Sequence, residues 1–346
     1  MALRADEPHP EVELVLEQLA ALNALPLNQY GPRGARDLFS QFNADEDEPE
    51  VGRVHDFTVP GYQPQEGEQR DPVPVRHYRP GEANEDRPTV VYYHGGGFVI
   101  GSLDSHDVTC RHICNRAQVN VVSVDYRLAP EDPFPAAIED AYAAASYVHE
   151  HPEEVDGNGQ LAVMGDSAGG NLSAAVCQMA RDRREEADPA AAGETGEGTR
   201  EPAMPIPDID RQVLLYPAVD ARQDRPSWEQ NREGYFLVEE DMLWFFDCYY
   251  GSDIHQKNPY AFPLEGDLHD LPPGTVVTAG FDPLRDEGIA YAEKLGQAGV
   301  DVEHRNYDDV IHGFLTMLTE PVELERAHEA IGDICENLQR GFGIYE

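Results

Sequence analysis

Lysine is almost missing from this sequence: there are two, Lys257 and Lys294, in 346 residues. Arginine supplies nearly all of the 25 basic side chains, against 66 acidic ones, and the formal net charge is −41. A chain so poor in positive charge repels nucleic-acid phosphates and anionic membrane surfaces, so neither is expected as a partner. Long apolar runs are missing too. None approaches the about 18 residues that a membrane-spanning helix needs, and Met1 to Pro10 carries no apolar stretch of the kind that marks a secretory signal. Cysteine is sparse. The five (Cys110, Cys114, Cys177, Cys248 and Cys335) are odd in number and scattered, which excludes a disulfide framework and fits reduced thiols in the cytoplasm. Cys110 and Cys114 would share a helical face with His112 between them, but no second pair stands nearby to complete a zinc site. No metal is expected.

What is present is enough apolar material for a substantial core, 40% of residues, either as one large α/β domain with a small accessory layer or as two modest domains. The acidic residues are spread over the whole length rather than gathered in one tail. Their mutual repulsion would be strong in dilute buffer, whereas at 1 M salt the Debye length is about 3 Å and most of it is screened. The composition therefore points to the cytoplasm of a salt-loving organism.

The stretch from Leu161 to Asn171 organises the rest. An apolar run, Leu161 to Met164, reads as a buried strand, and an alanine-rich segment from Asn171 to Ala180 reads as a helix. Between them stands Gly165-Asp166-Ser167-Ala168-Gly169. A strand that turns abruptly into a helix lifts its corner side chain clear of both elements, and flanking glycines let the two backbones pass closely. With nine serines and 30 glycines in the chain, chance supplies about 0.07 Gly-x-Ser-x-Gly patterns. Ser167 is the candidate nucleophile.

In chain order, residues 11–25 form an amphipathic helix whose polar face is acidic, suited to packing on the body of the protein rather than on a membrane. An acidic linker, Asp45 to Glu50, ends an N-terminal helical cap region placed at 1–48; residues 49–346 form the catalytic domain. Val54–Val59 and Val73–Tyr78 read as antiparallel strands. Thr89–Tyr93 reads as a strand buried on both faces, running into His94-Gly95-Gly96-Gly97-Phe98, where adjacent glycines allow backbone N–H groups to crowd around a reacting oxygen. Two such donors, joined by that of Ala168, would stabilise a tetrahedral oxyanion. A helix from His106 to Ala117, a strand at Val119–Val124 and a helix from Ile138 to His149 follow. Arg127 and Glu131, in the turn between the last two, read as a structural pair. Arg181 to Pro207 reads as a surface excursion. Residues 220–255 are aromatic-rich and interrupt the β/α alternation, so they are expected to join the N-terminal helices in the cap. Thr275–Gly280 is a strand ending at Asp282, where sheet enzymes place catalytic groups; Asp286, Asp308 and Asp309 are expected at the solvated surface. The last strand, Val302–Tyr307, leads to His312 in a turn before a closing helix near Glu320–Leu338.

The order Ser167, Asp282, His312 is the chain order of α/β-hydrolases, and the roles follow from chemistry: His312 takes and returns the serine proton, while Asp282 fixes the histidine tautomer. Together with Asp125-Tyr126-Arg127-Leu128-Ala129-Pro130-Glu131, Asp282-Pro283-Leu284-Arg285-Asp286 and His312-Gly313-Phe314, these motifs resemble the hormone-sensitive-lipase family of carboxylesterases over roughly residues 75–340. The resemblance implies an α/β-hydrolase fold, a mostly parallel central sheet flanked by helices with a helical cap. It implies no cofactor, an oxyanion hole from Gly96, Gly97 and Ala168, and a small-molecule ester of a short or medium acid as substrate. Alternatives stay open: an amidase or acyltransferase on the same residues, or a non-catalytic ligand receptor on this fold, against which His312 argues. The oligomeric state is open as well, a homo-oligomer included.

Overall fold

The β-former runs of the sequence become the middle of an eight-stranded sheet. The computed structural model describes residues 3–22, 25–42, 48–65, 67–81, 85–188, 203–319 and 321–344. Its strands are β1 (Arg53–Val59), β2 (Val73–Arg79), β3 (Arg87–Tyr93), β4 (Asn120–Val124), β5 (Gly157–Asp166), β6 (Arg211–Leu215), β7 (Gly274–Phe281) and β8 (Val302–Ile311). Their order across the sheet is β1-β2-β4-β3-β5-β6-β7-β8. β1 and β2 pair antiparallel with each other, and β2 pairs antiparallel with β4. From β4 through β8 every pairing is parallel.

Parallel strands need crossover helices, and these cover both faces. The pleat divides each strand between two cores. Val91, Tyr93, Val122, Leu161 and Val163 face one core, with Ala141 of α4 (Ala136–Glu150), Leu172 of α5 (Ala168–Ala187) and Tyr291 of α8 (Arg285–Gln297). Val90, Tyr92, Val121, Ala162 and Met164 face the other, with Ile113 of α3 (Asp107–Ala117) and Ile331 of α9 (Glu325–Phe342). Burial on both sides is why these strands read as continuous apolar runs rather than alternating ones.

Four more α-helices are present among the described residues, besides short 3-10 turns: α1 (Pro10–Leu22), α2 (Leu27–Phe42), α6 (Pro226–Asn231) and α7 (Glu239–Tyr249). α1 carries Val12 and Val15 into the second core, the packing that its acidic outer face implied. Of the linker expected at Asp45 to Glu50, residues 45–47 lie outside the described residues.

Three expectations need correction. Arg127 and Glu131 do not pair with each other: Arg127 is held by Asp140 and Glu139, and Glu131 by Arg36. Arg181 does not begin a surface excursion: α5 continues to Ala187, and Arg181 is buried, donating to the carbonyls of Asp267 and His269 at 2.9 Å each. Residues 189–202 of that excursion lie outside the described residues. Asp286 and Asp309 are half-buried in ordered contacts rather than freely solvated. Asp286 accepts the Ser227 N–H at 2.8 Å and pairs with Arg285, and Asp309 pairs with Arg326. In a chain with so many acids, the few arginines draw carboxylates into ordered contacts.

The two lysines differ sharply. Lys294 on α8 donates to the carbonyls of Leu264 and Gly266 at 2.8 and 2.6 Å, while the Lys257 side chain is 80% exposed beside Glu265.

Candidate active site

The parallel strands all point their carboxyl ends the same way, and the sequence motifs sit at those ends: His94–Gly97 after β3, Ser167 after β5, Asp282 after β7 and His312 after β8. The corner at Ser167 is tight. A Cβ on Gly169 would lie 1.8 Å from the Tyr93 carbonyl oxygen, and one on Gly165 would lie 2.4 Å from the Gly169 backbone. Only glycine lets strand and helix cross at this distance. Ser167 itself has φ 54° and ψ −114°, a conformation that costs a side-chain-bearing residue about 1–3 kcal/mol. Its backbone is held there by the Ser167 N–H donating to Leu215 at 2.8 Å and by its carbonyl accepting from Asn171 and Ala218.

The structure brings the three candidate residues into one relay. The Ser167 hydroxyl lies 2.9 Å from His312 Nε2, and His312 Nδ1 lies 2.8 Å from Asp282 Oδ2. The second oxygen of Asp282 accepts the Leu284 N–H at 2.8 Å. Asp282 is fully buried and His312 nearly so. An ionised carboxylate can only accept, so Nδ1 carries the proton and Nε2 is free to accept from the serine. The Tyr216 ring packs 4.7 Å from the imidazole and limits its swing.

Gly96, Gly97 and Ala168 line the same pocket as Ser167. Among the described residues no backbone acceptor takes their N–H groups. Gly97 is pinned from outside, since a Cβ there would lie 2.2 Å from the Phe245 ring. Asp166, beside the serine, has a task that its sequence position alone did not disclose. Its Oδ1 accepts the Gly95 N–H at 2.9 Å and the Tyr92 hydroxyl at 2.8 Å, and His106 Nε2 stands 3.2 Å from it. Burial pushes the Asp166 carboxyl up, but His106 and Tyr92 outweigh it and hold the group below its usual range. A buried carboxylate thereby ties the glycine loop to the residue preceding Ser167. His94, buried and stacked 4.2 Å from Tyr126, is pushed down to about 3 by burial and by His106, and stays neutral.

Over these residues lies a cavity of about 560 Å³ with mostly apolar walls. Leu16 and Leu19 of α1, Phe39 of α2, and Met242, Phe245 and Phe246 of α7 contribute to them. The aromatic-rich segment thus divides: Phe245 and Phe246 face the cavity, whereas Trp228 and Tyr249 are buried. Groups of His, Asp and Glu close enough to hold a metal ion occur at His151, Glu153 and Glu154 and at Glu185, His269 and Asp270, and none of them lines the cavity.

A strained serine corner, a serine–histidine–aspartate relay and a glycine loop at the carboxyl edge of one parallel sheet define a hydrolase-type site, and comparison with known proteins agrees. A family model described as alpha/beta hydrolase fold matches residues 90–316, and the chain belongs to that family. Carboxylic ester hydrolase LipN of Mycobacterium tuberculosis is 43% identical over 268 residues, 76% of this chain and 65% of that protein. Esterase LipI of the same species is 38% identical over 320 residues, 90% of each chain. An alpha/beta hydrolase enzyme from the metagenome of Lake Arreo, Spain, superposes with a TM-score of 0.84 at 36% identity, covering 98% of this chain and 100% of that one. The protein is a carboxylic ester hydrolase of the hormone-sensitive-lipase-like group that its motifs resemble. No helix of the described residues is long and apolar enough to cross a membrane.

Proposed function

We propose that the protein is a serine carboxylesterase acting on small esters of short- to medium-chain acids through an acyl-enzyme. Ser167 attacks the ester carbonyl as His312 Nε2 accepts its proton, and Asp282 stabilises the imidazolium that forms. The N–H groups of Gly96, Gly97 and Ala168 receive the negative charge developing on the carbonyl oxygen. His312 then protonates the leaving alcohol, and a water molecule activated by the same imidazole releases the acid. The observation that carries this reading is the unbroken chain of short contacts from Ser167 Oγ through His312 to Asp282. The strained serine backbone supports it, because strain persists at sites where geometry is the function.

On this reading residues 1–48 and 220–255 form a helical cap, which the lining of the cavity by α1, α2 and α7 supports. The cavity's size and apolar walls suit a small acyl group and exclude a charged one. Scattered free cysteines, four of the five buried, support a cytoplasmic location. The excess of 66 acids over 25 bases supports a salt-rich one.

The test is a graded series of p-nitrophenyl esters assayed in dilute and multimolar salt, with Ser167→Ala alongside and an organophosphate as label. Turnover should favour butyrate to octanoate over palmitate, vanish in the variant, and leave the label on Ser167 alone. Labelling at another serine, or turnover in the variant, would refute the site. Hydrolysis of the matching anilides at comparable rates would make it an amidase. Full structure and activity in dilute buffer would remove the salt adaptation.

A further inference from the structure

The glycine loop closes on itself. The Gly96 carbonyl accepts the N–H groups of Val99 and Ile100 at 3.0 and 2.9 Å. Those bonds fix the loop's shape but not its attitude toward Ser167. Attitude depends on what grips the turn from outside: besides the Phe245 ring against Gly97 and the Tyr249 ring stacked on Phe98, three sets of hydrogen bonds do so. At its start, Asp166 holds the Gly95 N–H. Near its end, the Ala129 N–H donates to the Phe98 carbonyl at 2.9 Å. The third comes from a distant part of the chain: Arg36 on α2 donates from Nε to the Val99 carbonyl at 2.7 Å and from one terminal nitrogen to the Ala129 carbonyl at 2.9 Å. Glu131 takes the same guanidinium in a two-pronged pair at 3.0 and 2.6 Å.

We propose that Arg36 is a positioning residue for the oxyanion-binding loop, coupling the N-terminal helices to the placement of the Gly96 and Gly97 N–H groups. This rests on the oxyanion role given to those glycines above. Guanidinium is suited to the task because its donors are held in one rigid plane: Nε and a terminal nitrogen reach two carbonyls while the fork engages a carboxylate. Glu131 then has a purpose beyond pairing charge, which is to set the angle of the guanidinium. Without Arg36 the far end of the loop keeps one hydrogen bond from outside, Phe98–Ala129, beside the ring contacts of Phe98 and Gly97, and the donors can drift from the oxyanion position. Donor misplacement of about 1 Å can cost about 100-fold in rate.

A structural role and a positioning role separate in the readout. The Glu131 side chain is 57% exposed, and exposed ion pairs contribute little to stability. Arg36→Ala, Arg36→Lys and Glu131→Ala should be compared with the unaltered enzyme for kcat, KM, melting temperature and inhibition by a trifluoromethyl ketone and its methyl ketone counterpart. Arg36→Ala should lower kcat about 10- to 100-fold with KM within about threefold. The trifluoromethyl ketone, which forms a serine-bound oxyanion, should lose affinity by a similar factor and the methyl ketone much less. Arg36→Lys should recover part of the loss, since an ammonium can reach one carbonyl but not both. Glu131→Ala should shift both quantities in the same direction by about threefold, and it gives the answer if Arg36→Ala does not fold. Unchanged kcat and ketone affinity in a folded variant, or a rise in KM alone, would overturn the proposal. Ser167→Ala distinguishes the two levels: turnover retained there overturns the oxyanion reading and this proposal together. An inactive Ser167→Ala beside a fully active Arg36→Ala overturns this one alone.

Discussion

The floor and the roof of the cavity are built by different means. The floor is the carboxyl edge of the sheet. Its strands are buried from end to end in the middle, β7 at every residue, and the reacting groups follow directly from ladder-bonded backbone: Ser167 N–H to Leu215, Tyr216 N–H to Val277. The roof is α1, α2 and α7, which expose Leu14 and Leu243 to solvent. Its helices are joined by a few side-chain contacts, among them the Leu27 N–H on Asp241 at 3.0 Å and Asn28 on Glu240 at 2.8 Å. The reacting side chains are anchored by ladder-bonded main chain, whereas access is set by side-chain packing. Changes in the floor should act on every substrate alike, whereas changes in the roof should re-sort substrates.

The largest effect belongs to the floor. Asp282→Asn should lower kcat about 10⁴-fold for all esters, because an amide facing Nδ1 favours the imidazole tautomer with its proton on Nε2, which can no longer accept from Ser167. Asp286→Asn, four residues on and holding the Ser227 N–H rather than the histidine, should leave kcat within a few-fold. Steady-state kinetics on both variants checks this, and a reversal would mean that the wrong carboxylate faces the histidine.

A roof change should be smaller and selective. Phe245 fills the space that a side chain on Gly97 would take. Phe245→Ala should raise kcat/KM for a bulky branched ester relative to the acetate by about 10-fold, the scale of a methylene or two in an apolar pocket. An equal change for both substrates would contradict the division between floor and roof.

The smallest effect concerns stability. Glu287 on α8 is buried; burial drives its carboxyl well above the usual 4.5, although the Val219 and Asp220 N–H groups donate to it. A carboxyl whose pKa is raised by folding binds its proton more tightly in the native state, so stability is full below about pH 4.5 and declines as pH rises through the raised value. Glu287→Gln keeps an acceptor for both N–H groups and removes the charge. Melting temperatures should match near pH 4.5 and favour the variant by about 1–2 °C at neutral pH. A variant less stable at every pH would show that the carboxylate, not the carbonyl acceptor, is required.

Much of the floor was legible in the sequence because it is local. A strand, a tight turn and a helix within twenty residues betray Ser167, and the motifs at Gly96, Asp282 and His312 each lie just past a readable strand. What joins them was not legible. Asp166 could be seen next to the serine, but its hold on Gly95 spans 71 positions, and no periodicity encodes such a contact. Arg36 reaches Val99 across 63 positions from α2, a helix beyond the 11–25 stretch whose spacing is readable in the sequence. Charge in the sequence does not imply solvent: the Arg181 guanidinium is buried because two backbone carbonyls and the Asp182 carboxylate take its donors. The aromatic segment divided between core and cavity because residue type alone does not say which side of a helix faces a void.

The scarcity of lysine has a practical corollary. Lys294 is engaged by two main-chain carbonyls, so the reagents that acylate amines meet one exposed side-chain ammonium, Lys257, paired with Glu265. That residue lies just beyond α7 and outside the lining of the cavity. Among side chains a support or fluorophore coupled through amines would find this single address, outside the lining of the cavity, with the chain's α-amino group, of lower pKa, as the one competing amine.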